Sequence, residues 1–187
     1  MPIEAELKAR VRDVAAVQNA LAARAEAQHA VYRDTYFDQP ERGFMAGGHE
    51  LRLRSVETAD DVRHVLTFKA PALDEASGSK PEHETVVADR DASEQIVLGL
   101  GYSIAIAFTK NCANYTFSAE GYDMLATLVT VPELNGTFLE VETIVPSAED
   151  LPDALVAVRR ILTDLDIRDS ELTTELYTEE VAKTQAK

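Results

Sequence analysis

The alternation in "IEAELKAR" (residues 3–10) constrains the fold more than any other feature of the chain. Successive side chains of a strand point to opposite faces, so Glu4, Glu6 and Lys8 share one face and Ile3, Ala5 and Leu7 the other. The same division recurs. "ELRLR" sets Arg52 and Arg54 against Leu51 and Leu53, and "LTFKAP" sets Thr67 and Lys69 against Leu66 and Phe68. "KPEHETVV" gathers Lys80, Glu82 and Glu84 opposite His83, and "FTKNC" sets Lys110 opposite Thr109. "FLEVETIV" sets Glu140 and Glu142 against Leu139 and Val141. One such strand is ordinarily half-buried, with its charged face in water. As a set these strands differ, because acids stand in i, i+2 pairs and arginines in another such pair, each on its own strand. An antiparallel sheet of about eight strands can close into a barrel with room for a ligand. With the ionic faces inward, acids and bases line one cavity, and the aliphatic faces turn outward beneath helices.

The rest of the chain supplies the elements. "RDVAAVQNALAARAEAQ" (12–28) is Ala-rich with Val14, Val17 and Leu21 at helical spacing. "HAVYRDTYFDQ" (29–39) is β-branched and aromatic and reads as a strand. A turn-rich loop (40–48) leads to strands over 49–58 and 62–71, joined by a hairpin turn at "TADD" (58–61). A polar loop (72–81) precedes a strand over 82–88. Residues 91–101 read as a short helix with Ser93 as its N-cap and Gly101 past its end. Residues 104–119 form one long or two short strands, followed by strands over 124–133 and 136–145. Residues 147–167 read as an amphipathic helix capped by Ser147, and 170–183 is ambiguous between strand and helix. The pattern is α+β: a closed antiparallel β-barrel of about eight strands with roughly three helices outside, in a single domain spanning 1–187.

Composition sets limits on function. No apolar run reaches the roughly 18 residues of a membrane span, and "MPIEAELK" lacks the basic start and apolar stretch of a signal peptide. The lone Cys112 excludes an internal disulfide framework and fits a reducing cytoplasm. A net charge of −15 disfavours nucleic acid and anionic membrane as partners, but permits a local cationic pocket. Paired carboxylates are oxygen ligands for Mg²⁺ or Mn²⁺, and arginine forks and lysines hold phosphate oxygens. Together they describe a metal–polyphosphate site. No GxxxxGK[ST] stretch occurs, so side chains rather than backbone amides must cradle the phosphates.

These residues resemble a known family. "EAELK" (4–8) matches the ExExK signature of the CYTH, or triphosphate tunnel metalloenzyme, superfamily, which includes class IV adenylate cyclases, thiamine triphosphatases and inorganic triphosphatases. "YFDQP" (36–40), "LRLR" (51–54), "LTFKAP" (66–71), "KPEHE" (80–84), "KNCANY" (110–115) and "GTFLEVE" (136–142) follow in the family's order, over most of the chain. The likeness is strongest to actinobacterial class IV adenylate cyclase-like members. The resemblance implies an eight-stranded tunnel holding a triphosphate. By position, Glu4, Glu6, Glu140 and Glu142 would hold the divalent metal, with Glu82 or Glu84 added. Lys8, Arg52, Arg54, Lys69, Lys80 and Lys110 would hold phosphate oxygens, and Lys8, Glu6, Arg52 and Lys69 form the candidate catalytic group. A triphosphate-bearing small molecule is the implied partner, and many relatives are dimers. Two departures stand out. Lys110-Asn111-Cys112 replaces the family's Lys-x-Arg, and no aspartate lies near Val129 to Val131.

The implied activity is metal-dependent phosphoryl transfer, of the class IV adenylate cyclase type or a triphosphate hydrolase. A barrel that binds a nucleotide or polyphosphate without turnover is the non-enzymatic alternative. A lipocalin-like carrier would need aliphatic inward faces and leave the acid and arginine pairs outside. Among the other polar residues, a lone Cys112 ordinarily packs, His64 and His83 lie on apolar faces, His49 stands at a loop end, and Tyr36 and Tyr115 either pack or touch ligand.

Overall fold

Eight strands close on themselves in the computed structural model, which describes residues 1–74 and 76–186. In chain order they are β1 (Ile3–Val11), β2 (Gln28–Asp38), β3 (Glu50–Glu57), β4 (Val62–Lys69), β5 (Lys80–Val87), β6 (Ser103–Ala119), β7 (Tyr122–Thr130) and β8 (Thr137–Val145). Around the barrel they run β1-β5-β4-β3-β2-β6-β7-β8, and every pairing is antiparallel. Residues 104–119 belong to one long strand, β6, which pairs β2 through its first half and β7 through its second.

The helices are α1 (Val14–Ala22), α2 (Gly43–Ala46), α3 (Arg90–Gly99), α4 (Leu151–Asp164) and α5 (Tyr177–Gln185). They cover the aliphatic faces from outside. The largest core joins Leu7, Leu139 and Val141 of the barrel wall to Val17 and Leu21 of α1 and Val158, Ile161 and Leu162 of α4. A second patch seats Val97 of α3 on Phe37 and Leu53. The main apolar core therefore lies outside the barrel, which leaves the interior for ions.

Two caps differ from the sequence reading. Asp89, not Ser93, caps α3 by accepting from the Ala92 amide at 2.9 Å, while the Ser93 hydroxyl donates to the Asp89 carbonyl. Asp150 precedes α4, and Ser147 stands outside the helix and donates to the Asp150 carboxylate at 2.7 Å. In both places an aspartate takes the N-cap position, with Ser93 inside α3 and Ser147 ahead of α4.

One seam in the barrel is thin. β1 and β5 pair only at Ile3–Pro81 and Glu4–Lys80, so the rest of that edge of β1 needs other partners. Ser79 supplies a hydroxyl to the Glu6 amide at 3.2 Å. Further along, Leu172 bridges Ala9, and the Thr173 amide donates to the Lys8 carbonyl at 2.9 Å. The ambiguous segment 170–183 is thus a strap along the seam followed by α5, not one strand or one helix.

Leu139 is fully buried between β8 and α4. Leu139→Ala should cost about 2–5 kcal/mol of stability through lost transfer energy and the cavity left behind. Urea denaturation, read as a lowered midpoint at unchanged slope, checks this.

Candidate active site

The ionic faces converge in the barrel. The interior cavity, about 490 Å³, is lined by Glu4, Glu6, Glu50, Glu82, Glu84, Glu140 and Glu142 and by Lys8, Arg52, Arg54, Arg63, Lys69, Lys80 and Lys110. All twelve residues singled out from the sequence line it, and the lining carries as many bases as acids in a chain of net charge −15. The registry explains the convergence. Glu6 pairs Glu142 and Lys8 pairs Glu140 across β1–β8, Arg52 pairs Thr67 across β3–β4, and Lys69 pairs Glu82 across β4–β5.

Glu4, Glu6 and Glu142 place carboxylate oxygens within 4.8 Å of one another. Burial and the negative charges of Glu140 and Glu4 push Glu6 up to about 7. Burial, with Glu4 and Glu6, raises Glu142 well above the usual carboxylate range. Three carboxylates this close, two of them with raised proton affinity, fit a hard divalent cation, which would relieve the repulsion. The other acids have nearer partners. Glu82 lies 2.8 Å from the Lys69 ammonium, which also bonds Glu4. Glu84, half-exposed, accepts from Thr67 at 3.1 Å and lies 3.8 Å from Arg52. Burial opposes ionisation of Glu140, but Lys110, 3.7 Å away, and Lys8 hold its carboxyl below the usual range.

The cations divide in the same way. Arg54 makes a fork to Asp34, at 2.6 and 2.7 Å, and stacks over Tyr32. Asp34 is fully buried; desolvation would raise it, but the Arg54 charge and hydrogen bonds hold it well below the usual range. Lys80 is held by Glu50 at 2.5 Å and by the Gly48 carbonyl. Arg52 donates to Thr67, yet its buried Nε has no partner among the described residues and is available to an anion in the cavity. Lys8 donates to the Glu175 carbonyl, and Lys8 and Lys110 both lie over the Tyr177 ring.

The far end of the barrel is apolar. Tyr36, Phe108, Cys112, Val129 and Phe138 form one cluster with Tyr177 and Val181 of α5. Burial pushes the Cys112 thiol up to about 12, so it remains a packed, protonated thiol. Tyr36 lines the cavity and stacks on Phe108, whereas Tyr115 is buried in the core outside the barrel. His64 pairs with Ser55 at 2.9 Å, His83 is exposed, and His49 stacks on Phe44.

Sequence reasoning missed Asp34, Glu50 and Tyr177. The first two were within reach, since Glu50 stands two residues before Arg52 and Asp34 two before Tyr36. Tyr177 carried no signal, because its place depends on a strap whose structure the local pattern left open.

Comparison with known proteins agrees with the geometry. Residues 2–177 match the CYTH domain family. A Methanocaldococcus jannaschii protein named "putative adenylate cyclase" is 27% identical over 146 residues, 78% of each chain. The solved structure of the PH1819 protein of Pyrococcus horikoshii is 26% identical, with a TM-score of 0.84 over 96% of this chain and 98% of its own. A Hippeastrum protein superposes with a TM-score of 0.66 at 17% identity, over 98% of this chain and 96% of its own. Its title calls it a putative adenylyl cyclase with a dominant triphosphatase activity. Among the described residues, no helix is long and apolar enough to cross a membrane.

Two outcomes follow from the electrostatics. Glu6 binds its proton more tightly folded, at about 7, than an ordinary carboxyl at 4.5, so its contribution to stability is lost as pH rises between those values. Metal-free protein should therefore melt lower at pH 8 than at pH 6. Mg²⁺ or Mn²⁺ should raise the melting temperature more at pH 8, where Glu6 is ionised, and Glu6→Gln should shrink the difference. Separately, Asp34→Asn leaves the buried Arg54 charge without its partner and should cost about 3–5 kcal/mol by urea denaturation.

Proposed function

The chain belongs to the CYTH domain family, and from that premise we propose that it is a divalent-metal-dependent phosphoryl-transfer enzyme acting on a triphosphate held in its tunnel. The observation that carries this reading is the convergence of Glu4, Glu6 and Glu142 in the same cavity as Lys8, Arg52, Lys69 and Lys110. Seven acids and seven bases balance, so one bound Mg²⁺ or Mn²⁺ leaves the lining cationic and suited to a polyphosphate. Glu4, Glu6 and Glu142 would hold the metal, which when bound supplies charge neutralisation to phosphate oxygens.

The side chains do the rest. Arg52, through its free Nε, and Lys8, Lys69 and Lys110 bind non-bridging oxygens and stabilise the charge that builds up during transfer. Arg54 and Lys80 start from full carboxylate partners, so they shape the wall and reach a phosphate only by exchanging those partners. Glu82 and Glu84 stay with Lys69 and Arg52 and fix where those cations point. In the favoured chemistry, of the class IV adenylate cyclase type, the ribose 3′-hydroxyl of ATP attacks the α-phosphorus and pyrophosphate leaves. Val56, Val65 and Leu125 line the cavity together with Tyr32, which gives an organic end of the substrate an apolar wall. The second reading is hydrolysis, in which water attacks the terminal phosphorus and orthophosphate leaves. The dominant triphosphatase activity of the Hippeastrum neighbour favours it.

Product analysis decides. Purified protein with Mg²⁺ or Mn²⁺ is incubated separately with ATP, GTP, tripolyphosphate and thiamine triphosphate, and products are resolved by ³¹P NMR. Cyclic AMP with pyrophosphate is the expected result, and orthophosphate marks the hydrolase. Binding without turnover leaves a non-catalytic polyphosphate sensor. Glu142→Gln should lower turnover at least about 100-fold, the scale on which removing one preorganised group acts at a charged transition state; unchanged turnover would remove the trio from the mechanism.

A further inference from the structure

We propose that Tyr177 is a phosphate-binding residue of the tunnel, whose hydroxyl donates to a phosphate oxygen and whose ring positions Lys8 and Lys110; this rests on the triphosphate reading above. Three independent observations meet at this side chain. Its ring centroid lies 4.6 Å from the Lys8 ammonium and 4.1 Å from that of Lys110. Its hydroxyl is buried at the ionic cavity beside the Glu140 carboxylate, which is its one neighbouring acceptor, and makes no well-aligned hydrogen bond among the described residues. Its ring is clamped edge-on against Phe138, with centroids 5.1 Å apart.

A buried hydroxyl held only by a poorly aligned contact to one carboxylate keeps donor capacity in reserve, and such groups in native proteins ordinarily have a reason. Here the neighbours supply one. Two ammonium groups drawn to one ring repel each other, and an anion between them relieves that repulsion while the hydroxyl donates to it. A phosphate oxygen can accept all three donors, which water could do only weakly. The placement also reflects construction. The strap pins Leu172 and Thr173 to β1, Lys8 donates to the Glu175 carbonyl, and fully buried Val181 anchors the first turns of α5. The chain thus spends its last helix on bringing a phenol to two lysines.

The test uses full-length protein with Mg²⁺ and tripolyphosphate, by isothermal titration calorimetry, beside thermal denaturation. Tyr177→Phe keeps the ring and removes only the hydroxyl. It should weaken binding about 10-fold, about 1.4 kcal/mol, with a melting temperature no lower than that of the wild type. Tyr177→Leu removes the ring as well and should weaken binding about 100-fold. Wild-type binding with Tyr177→Phe equal to it within twofold would overturn the inference and leave the tunnel reading intact. Failure of the wild type itself to bind would overturn the tunnel reading first, and this inference with it. Should Tyr177→Leu fail to fold, Tyr177→Phe alone decides.

Discussion

Carboxylates that converge inside a protein repel one another across a medium that screens poorly, and Glu4, Glu6 and Glu142 do so at the centre of this barrel. Much of the architecture answers that fact. Lys69 stands between Glu4 and Glu82, Lys110 faces Glu140, and Lys80 faces Glu50, so that each acid outside the trio has a nearby cation. Glu6 and Glu142 have no ion-pair partner among the described residues, and burial together with the neighbouring acids raises their proton affinity. A closed wall is what permits this. Half of every strand must face inward once the sheet closes, and the apolar half is then free to build the core against α1 and α4 on the outside.

That inversion is why the barrel and its lining were legible. The i, i+2 pairs Glu4/Glu6, Arg52/Arg54 and Glu140/Glu142 each stand on one strand face, and period two makes their sharing a face unavoidable once the strand forms. Local spacing says which side chains share a face, but nothing about who stands opposite. Arg54 therefore looked the same as Arg52, although Asp34 holds one and leaves a nitrogen of the other free. Partner choice depends on the offset between β2 and β3, which no single strand encodes. The strap was illegible for a related reason: it has no periodicity of its own and takes its shape from the unpaired edge of β1.

Both departures from the family pattern fall near one place in three dimensions. Cys112 and Val129 are direct partners across β6 and β7, and both belong to the apolar cluster that α5 closes with Tyr177 and Val181. Apolar side chains pack that end of the barrel, and the charged residues line the remaining length of the tunnel.

The tunnel is consequently asymmetric. At the closed end, Phe138 and Phe108 press on Tyr177 while Lys8 and Lys110 gather at its ring. Elsewhere the lining includes Val56, Leu125 and Ile144, the last of them more than half exposed, and exposed Arg63, the strand partner of Val56. A linear substrate with an anionic tail and a larger, less polar head fits such a cavity in one direction, tail toward the lysines. Inorganic tripolyphosphate has no head and would leave those aliphatic residues uncovered. On the reading proposed above, these wall residues favour an organic triphosphate, and they do so without any motif that reads a base.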